Sequence, residues 1–127
     1  MEWILTAAGG AVGAVARYGL GGYIAARVSP SFPLGTLTIN VTGSFLIGLV
    51  MALLSAATPL SADLQALLVT GALGGYTTFS TYEYESLQLA LTRSRKSLAL
   101  NLIGSVVVGL LGAWIGAIAG GSIRAAL

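Results

Sequence analysis

The chain is divided into four apolar blocks, each close to the ~20 residues that an α-helix needs to cross the hydrocarbon core of a membrane. The blocks cover residues 3–24, 35–57, 64–91 and 97–119. Only 8% of the 127 residues are charged, against about 25% in a soluble domain. The sequence therefore predicts an all-α integral membrane protein, with one domain of four transmembrane helices spanning residues 1–127.

The third block contains the adjacent pair Gly74 and Gly75. Each glycine in a helix costs about 1 kcal/mol relative to alanine. Four hydroxyl side chains follow the pair: Thr77, Thr78, Ser80 and Thr81. They can bond to the backbone groups that a broken helix leaves free. We predict that the third helix is broken near residues 74–78; the alternative is a kinked helix whose hydroxyls bond back to its own carbonyls.

Polar side chains also occur inside the other blocks. Arg17 must snorkel to a helix end, pair with another group, or face an aqueous vestibule. Asn40 and Asn101 lie in the second and fourth blocks, and a serine follows Asn101 one turn later, at Ser105. An amide is costly in lipid, so Asn40 should face protein or water. The alternative is that Asn40 only joins helices by a hydrogen bond.

Small residues recur at helical spacing in the first and fourth blocks. Gly9 and Gly13 lie four residues apart, as do Gly112, Gly116 and Gly120. Such faces let helices approach closely. We take them as an indication that the working unit is an oligomer.

The chain contains no cysteine and no histidine. This composition removes thiol chemistry and histidine-based catalysis, and no nucleophile–base pair or metal cluster points to an enzyme or an organic cofactor. The net charge of +2 is too small to indicate a nucleic-acid partner.

With four spans, Arg27, Arg93, Arg95 and Lys96 fall on one side of the membrane and Arg124 on the other. The positive-inside rule then places both termini outside the cytoplasm. Inside the membrane the polar groups are mostly neutral donors and aromatic rings. Ring edges carry positive charge, and channels select ions by their lining donors and pore diameter. The residues by themselves predict a small-ion pathway with a modest preference for an anion, or ordinary core packing of Phe79 and the neighbouring rings.

Four segments resemble the Fluc-type (CrcB-like) bacterial fluoride ion channel family. Residues 74–82, GGYTTFSTY, followed by Glu85, match its signature. Residues 35–43 (GTLTINVTG) and 9–18 (GGAVGAVARY) match two further motifs, and 101–105 (NLIGS) is a looser match. The resemblance covers essentially the whole chain.

The resemblance implies an antiparallel, dual-topology homodimer in the inner (plasma) membrane that exports fluoride passively through two pores. It implies a structural sodium ion at the dimer centre, held here by the backbone carbonyls of Gly74 and Thr77. It also implies a set of pore-lining residues, which are Asn40, Phe79, Ser80, Thr81, Tyr82, Asn101 and Ser105. Arg17 and Glu85 match charged positions of the vestibules.

Three features depart from the family pattern. Tyr82 replaces the second pore phenylalanine, and Glu83 stands where a small or neutral residue is expected. The bias of basic residues exceeds that of a dual-topology protein, so a heterodimer of paired subunits stays open beside the preferred homodimer.

Three other functions compete with a fluoride channel. A small multidrug exporter needs a membrane-embedded glutamate in the first helix, and the first block offers only Glu2 at its end. A proton-coupled anion transporter would use Glu83 or Glu85. A non-transporting assembly subunit would show no flux when purified alone.

Overall fold

The computed structural model describes residues 1–28, 31–54, 59–92 and 94–126, and every regular element in these ranges is helical. The elements are α1 (Glu2–Ala25), α2 (Leu34–Leu54), α3 (59–76), α4 (Ser80–Leu91) and α5 (Arg95–Ala126). Helices α3 and α4 follow each other across a three-residue interruption and form one helical path. Together with α1, α2 and α5 they give four helical paths, as the sequence predicts.

Helix boundaries differ from the predicted blocks at two places. Helix α3 begins at Pro59 instead of near residue 64, and α5 begins at Arg95, inside the predicted third loop. The predicted end of the second block, residues 55–57, and Arg93 lie outside the described residues.

Two of the helices contain π-helical segments that the sequence did not predict. One is Gln65–Leu73 in the middle of α3, and the other is Leu100–Gly104 near the start of α5. A π-helix forms i→i+5 hydrogen bonds, is rare, and occurs frequently at functional sites. The first segment ends at Leu73, shortly before the interruption between α3 and α4, and the second accepts a hydrogen bond from Tyr82 on α4.

By length and composition alone, two helices in the described part of the chain are long and apolar enough to cross a membrane. They are Leu34–Leu54, with a mean hydropathy of 2.0, and Arg95–Ala126, with 2.2. Helix α1 is rich in glycine and alanine and carries Arg17, and the third path is split in two. Amino-acid composition alone therefore marks these two paths less strongly.

The interruption lies at residues 77–79, just after the glycine pair. Gly74 and Gly75 are themselves helical, whereas Thr77 is extended (φ −73°, ψ 159°). Gly75 instead permits close packing, because a Cβ there would lie 2.5 Å from the carbonyl oxygen of Gly10. The predicted break is present, but the predicted cause, weak helix propensity at the glycine pair, is wrong.

The helices pack in two close pairs, α1 with α3 and α2 with α5. In the first pair, a Cβ on Gly71 would lie 2.7 Å from the carbonyl oxygen of Thr6. In the second, a Cβ on Gly120 would lie 2.5 Å from the carbonyl oxygen of Leu49, and Gly116 meets Phe45 in the same way. The glycine faces are therefore used inside the subunit, so they no longer support the predicted oligomer.

We expect Gly13→Ala to destabilise the subunit. A Cβ at this position would meet the carbonyl of Ala72 and lie 2.7 Å from the amide nitrogen of Tyr76. Overpacking of this kind costs about 1–3 kcal/mol. Gly19→Ala is the matched control, since nothing lies within 4 Å of a Cβ there. Thermal loss of helical circular dichroism in detergent measures both variants, and equal midpoints would contradict the packing role.

Candidate functional site

Asn40 on α2 binds both backbone groups of Thr78 in the interruption. Its Nδ2 donates to the Thr78 carbonyl oxygen at 2.9 Å, and its Oδ1 accepts from the Thr78 amide nitrogen at 2.9 Å. A broken helix leaves such groups without partners, and in a membrane each unpaired group costs several kcal/mol. One amide side chain therefore replaces the two missing backbone hydrogen bonds.

The hydroxyls around the interruption close the two helix ends. Thr77 Oγ1 donates to the Leu73 carbonyl at 2.9 Å. Thr78 Oγ1 accepts from the amide nitrogen of Thr81 at 3.3 Å, so Thr78 caps the start of α4. The same hydroxyl lies 3.0 Å from Thr81 Oγ1 and 3.5 Å from Ser80 Oγ. Thr78 therefore bonds to a backbone group that the break leaves free, as predicted, whereas Thr77 makes the bond of the alternative reading, because the Leu73 carbonyl also accepts from the Thr77 amide.

Arg17 on α1 reaches the same interruption. Its Nη1 donates to the carbonyl oxygen of Thr77 at 3.3 Å. Carbonyls at a helix C-terminus carry partial negative charge, so a guanidinium is favoured at the end of α3. Of the three predicted environments for Arg17, the structure shows pairing with a backbone acceptor.

A cleft of about 1150 Å³ lies between α1, α2 and α4. Arg17 and Glu85 both line it, together with Thr78 and Thr81 at the interruption. Glu85 Oε1 accepts a hydrogen bond of 2.9 Å from the buried hydroxyl of Thr36. Its Oε2 is buried and has no hydrogen-bond partner in the described part of the chain. The cleft is therefore lined by one basic and one acidic side chain.

The first pore candidates lie on the outside of the subunit. Phe79 is 73% exposed, and Ser80 and Thr81 are exposed as well. The Phe79 ring packs on Tyr82 with centroids 5.7 Å apart and planes inclined by 39°. An aromatic ring and two hydroxyls thus form an open surface beside the interruption.

Tyr82, Asn101 and Ser105 belong to a second group, between α4 and α5. Tyr82 Oη donates to the carbonyl oxygen of Leu102 at 3.2 Å. Asn101, which is 2% exposed, donates to Ser86 Oγ at 2.9 Å and accepts from Ser105 Oγ at 3.4 Å. Ser86 Oγ donates in turn to the Tyr82 carbonyl at 2.7 Å. The structure therefore encloses Asn101 within the subunit.

The resemblance implies a sodium ion on the backbone carbonyls of Gly74 and Thr77, and the two carbonyls differ in their contacts. The Thr78 amide, which would be the helical donor to Gly74, goes to Asn40 instead, and Gly74 is exposed on the subunit surface. Hard cations take such oxygens, so Gly74 fits a sodium ion. Thr77 fits less fully, because Arg17 already occupies one acceptor position of its carbonyl.

Sequence reasoning missed the partners of the candidate residues. Thr78 was recognised only as a hydroxyl, although its backbone is the target of Asn40. Thr36 and Ser86 were not identified. Ser86 lies one turn after Tyr82 and was detectable as a local hydroxyl-to-carbonyl bond, but its bond to Asn101 is visible only in the fold.

Comparison with known proteins places this chain among a set of close relatives. The family model described as CrcB-like protein, Camphor Resistance (CrcB), matches residues 4–117. The protein named fluoride-specific ion channel FluC in Acidobacterium capsulatum is 43% identical over 98% of this chain and its own full length. FluC of Geobacter sulfurreducens is 46% identical over 87% of this chain and 89% of its own. FluC 1 of Leifsonia xyli is 45% identical over 91% and 87%.

These relatives are named as ion channels and not as enzymes. The matched span includes every candidate residue, from Arg17 to Ser105, with the interruption at its centre. The chain belongs to the CrcB-like family of membrane proteins.

Proposed function

We propose that the protein is a passive, fluoride-selective channel that exports fluoride from the cytoplasm. The observation that carries this proposal is 43% identity to a protein named fluoride-specific ion channel FluC, over the whole length of that protein. The chemistry of the site agrees with it. Neutral amide and hydroxyl donors and aromatic edges surround a helix interruption, and such donors can replace the water shell of a small anion.

The proposed pathway runs along the outer surface of the subunit. Phe79 and Tyr82 present ring edges to the ion, and the hydroxyls of Ser80 and Thr81 supply donors. Support comes from the exposure of Phe79, since a large ring left 73% open on one subunit is available to line a pathway at a contact with a second subunit. Ser105 is a further lining residue on α5.

Asn40 and Asn101 take part in the pathway in different ways. One N–H and the oxygen of the Asn40 amide are hydrogen-bonded to Thr78. Its second N–H is therefore the group that can face the ion. Asn101 is enclosed, and we assign it to the support of α4 through Ser86.

We propose that two copies of this chain form an antiparallel, dual-topology homodimer with one pore along each side of the interface. Each pore is then lined by the exposed surface around Phe79 of one subunit and by the part of the second subunit that packs against it. A heterodimer with a paired subunit is the alternative, because basic residues such as Arg95 and Lys96 are concentrated on one side.

We further propose four spans in the plasma membrane, formed by α1, α2, the α3–α4 path and α5. Support comes from the large apolar side chains that α1 and α5 leave open, including Trp3, Val15 and Trp114, which are 88%, 73% and 64% exposed. In water such a surface would be unfavourable, whereas lipid or a second subunit covers it. Arg17 and Glu85 then lie in a vestibule formed by the cleft.

A sodium ion at the centre of the dimer would be held by the Gly74 and Thr77 carbonyls of both subunits. It would neutralise the negative ends of the two α3 helices, a role that Arg17 shares within each subunit. Replacement of sodium by N-methylglucamine is expected to lower the fraction of cross-linked dimer in detergent. An unchanged fraction would contradict a structural ion.

The function is tested by anion efflux from liposomes that contain this protein alone, with fluoride and chloride electrodes used side by side. Fast fluoride efflux without chloride efflux establishes the channel and, since no partner is supplied, the homodimer. If neither ion leaves the liposomes, but fluoride efflux begins after co-reconstitution with a paired subunit, the working unit is the heterodimer. Fluoride uptake driven by an imposed pH gradient would instead favour a proton-coupled transporter that uses Glu85, whose Oε2 lacks a partner in the described chain.

A further inference from the structure

Tyr82 differs from the family's second phenylalanine by one hydroxyl, and the fold gives that hydroxyl a protein partner. Tyr82 Oη donates to the carbonyl oxygen of Leu102 at 3.2 Å, while the ring lies against Phe79. We propose that the Tyr82 hydroxyl is a positioning group: it holds the ring edge beside Phe79 and is not itself a ligand of the transported ion. This inference rests on the proposed function.

The acceptor lies in a region of the backbone with unusual geometry. Leu102 is in the π-helical segment Leu100–Gly104 of α5. A π-helix bonds each carbonyl to the amide five residues later and is wider than an α-helix. A carbonyl oxygen has two lone pairs, so Leu102 can accept from Tyr82 as well as from its own helix. The π-helical segment therefore presents a carbonyl toward α4.

A second connection ties the backbone of Tyr82 to α5. Its carbonyl accepts from Ser86 Oγ at 2.7 Å, and Ser86 Oγ accepts from Asn101 Nδ2 at 2.9 Å. Asn101 is 2% exposed, and its Oδ1 accepts from Ser105 Oγ at 3.4 Å. The backbone and the side-chain hydroxyl of Tyr82 are thus both linked to α5, which restricts where its ring can lie.

The hydroxyl would have to give up this bond in order to bind an anion. A phenol has a single proton to donate, so the hydroxyl cannot keep its bond to Leu102 and donate to an anion at the same time. The ring edge has no such competing partner. The edge of Tyr82 therefore faces the ion, as a phenylalanine edge would, and the hydroxyl acts only through the position of the ring.

The first test measures fluoride flux against fluoride concentration in liposomes for the wild type and Tyr82→Phe. We expect the maximal flux to fall about two- to tenfold, the factor that one net hydrogen bond carries. The fluoride concentration at half-maximal flux should stay within about twofold, because no ligand of the ion is lost. Tyr84→Phe is the matched control, since Tyr84 lies on the same helix and is 63% exposed.

A rise in the half-maximal concentration with unchanged maximal flux would overturn the proposal, because it would make the hydroxyl an ion ligand. Wild-type values for both quantities in Tyr82→Phe would also overturn it, because the hydroxyl would then position nothing.

The second readout does not depend on flux. The chain has 5 tyrosines, so labelling with tyrosine carrying ¹³C at Cζ and Cε gives few signals, and the Tyr82 signals are assigned by their loss in Tyr82→Phe. When chloride is replaced by fluoride, we expect the Cε signals of the ring edge to shift more than the signal of Cζ, the carbon that carries the hydroxyl. A larger shift at Cζ than at Cε would overturn the proposal, because the hydroxyl would then have exchanged Leu102 for the ion. No shift at any Tyr82 carbon, in a protein without fluoride flux, would leave the hydrogen bond in place and contradict only the proposed function.

Discussion

Asn40→Asp is expected to abolish most of the fluoride flux, by about 100-fold or more, since leaving buried polar groups unpaired costs about 1–3 kcal/mol and more for a charged group. The amide donates to the Thr78 carbonyl and accepts from the Thr78 amide. A carboxylate keeps only the second bond and turns an oxygen toward the carbonyl. It also adds a negative charge beside an anion path. Fluoride efflux from liposomes measures the effect.

Asn40→Ala separates the two causes. Alanine removes both bonds to Thr78 and adds no charge. If the loss of the interruption's geometry dominates, Asn40→Ala and Asn40→Asp should be similarly slow. If repulsion dominates, Asn40→Ala should conduct faster than Asn40→Asp. Efflux from Asn40→Asp at or above the wild-type rate, with normal helical circular dichroism, would contradict both.

Phe79→Ile is expected to lower fluoride flux while leaving the subunit folded. The ring is 73% exposed and packs mainly against the Tyr82 ring, so its loss removes little core packing. A ring quadrupole acting on a desolvated charge is worth about 1–2 kcal/mol, which corresponds to about five- to thirtyfold in rate. Efflux and size-exclusion elution in detergent are measured together.

Leu87→Ile is the matched control for Phe79→Ile. Leu87 is an apolar side chain on α4 that is 55% exposed, and the proposed pathway does not use it. Its flux should equal that of the wild type. Undiminished flux in Phe79→Ile would remove this ring from the pathway, whereas a changed elution volume would show that the ring supports assembly instead.

The helix interruption shows where local sequence rules succeed and where they stop. Glycine propensity and a hydroxyl cluster predicted a break near residues 74–78, and the break is present at 77–79. The glycines, however, remain helical, and Gly75 allows the backbone of α1 to come close. Propensity is a weak prior that tertiary contacts override, and here Asn40, 38 residues away, binds the backbone that the break exposes.

The glycine faces give the opposite lesson. Their spacing correctly predicted close helix packing, but the partner of each face was wrong. Gly13 meets α3 and Gly116 meets α2 within the same subunit. A repeat of small residues predicts that another helix approaches closely, but it does not identify that helix.

The sequence by itself determined the helical, membrane-bound character of this protein. Few charges and four long apolar blocks place the chain in lipid, where a helix pairs the backbone N–H and C=O groups within each segment. It also determined the family, through residues that are close neighbours along the chain. Only the tertiary structure decided that Asn40 clamps Thr78, that Arg17 binds Thr77 and that Tyr82 bonds to a π-helical segment. The physical reason is that these bonds join residues 20 to 60 positions apart, and such pairs meet only after the helices have packed.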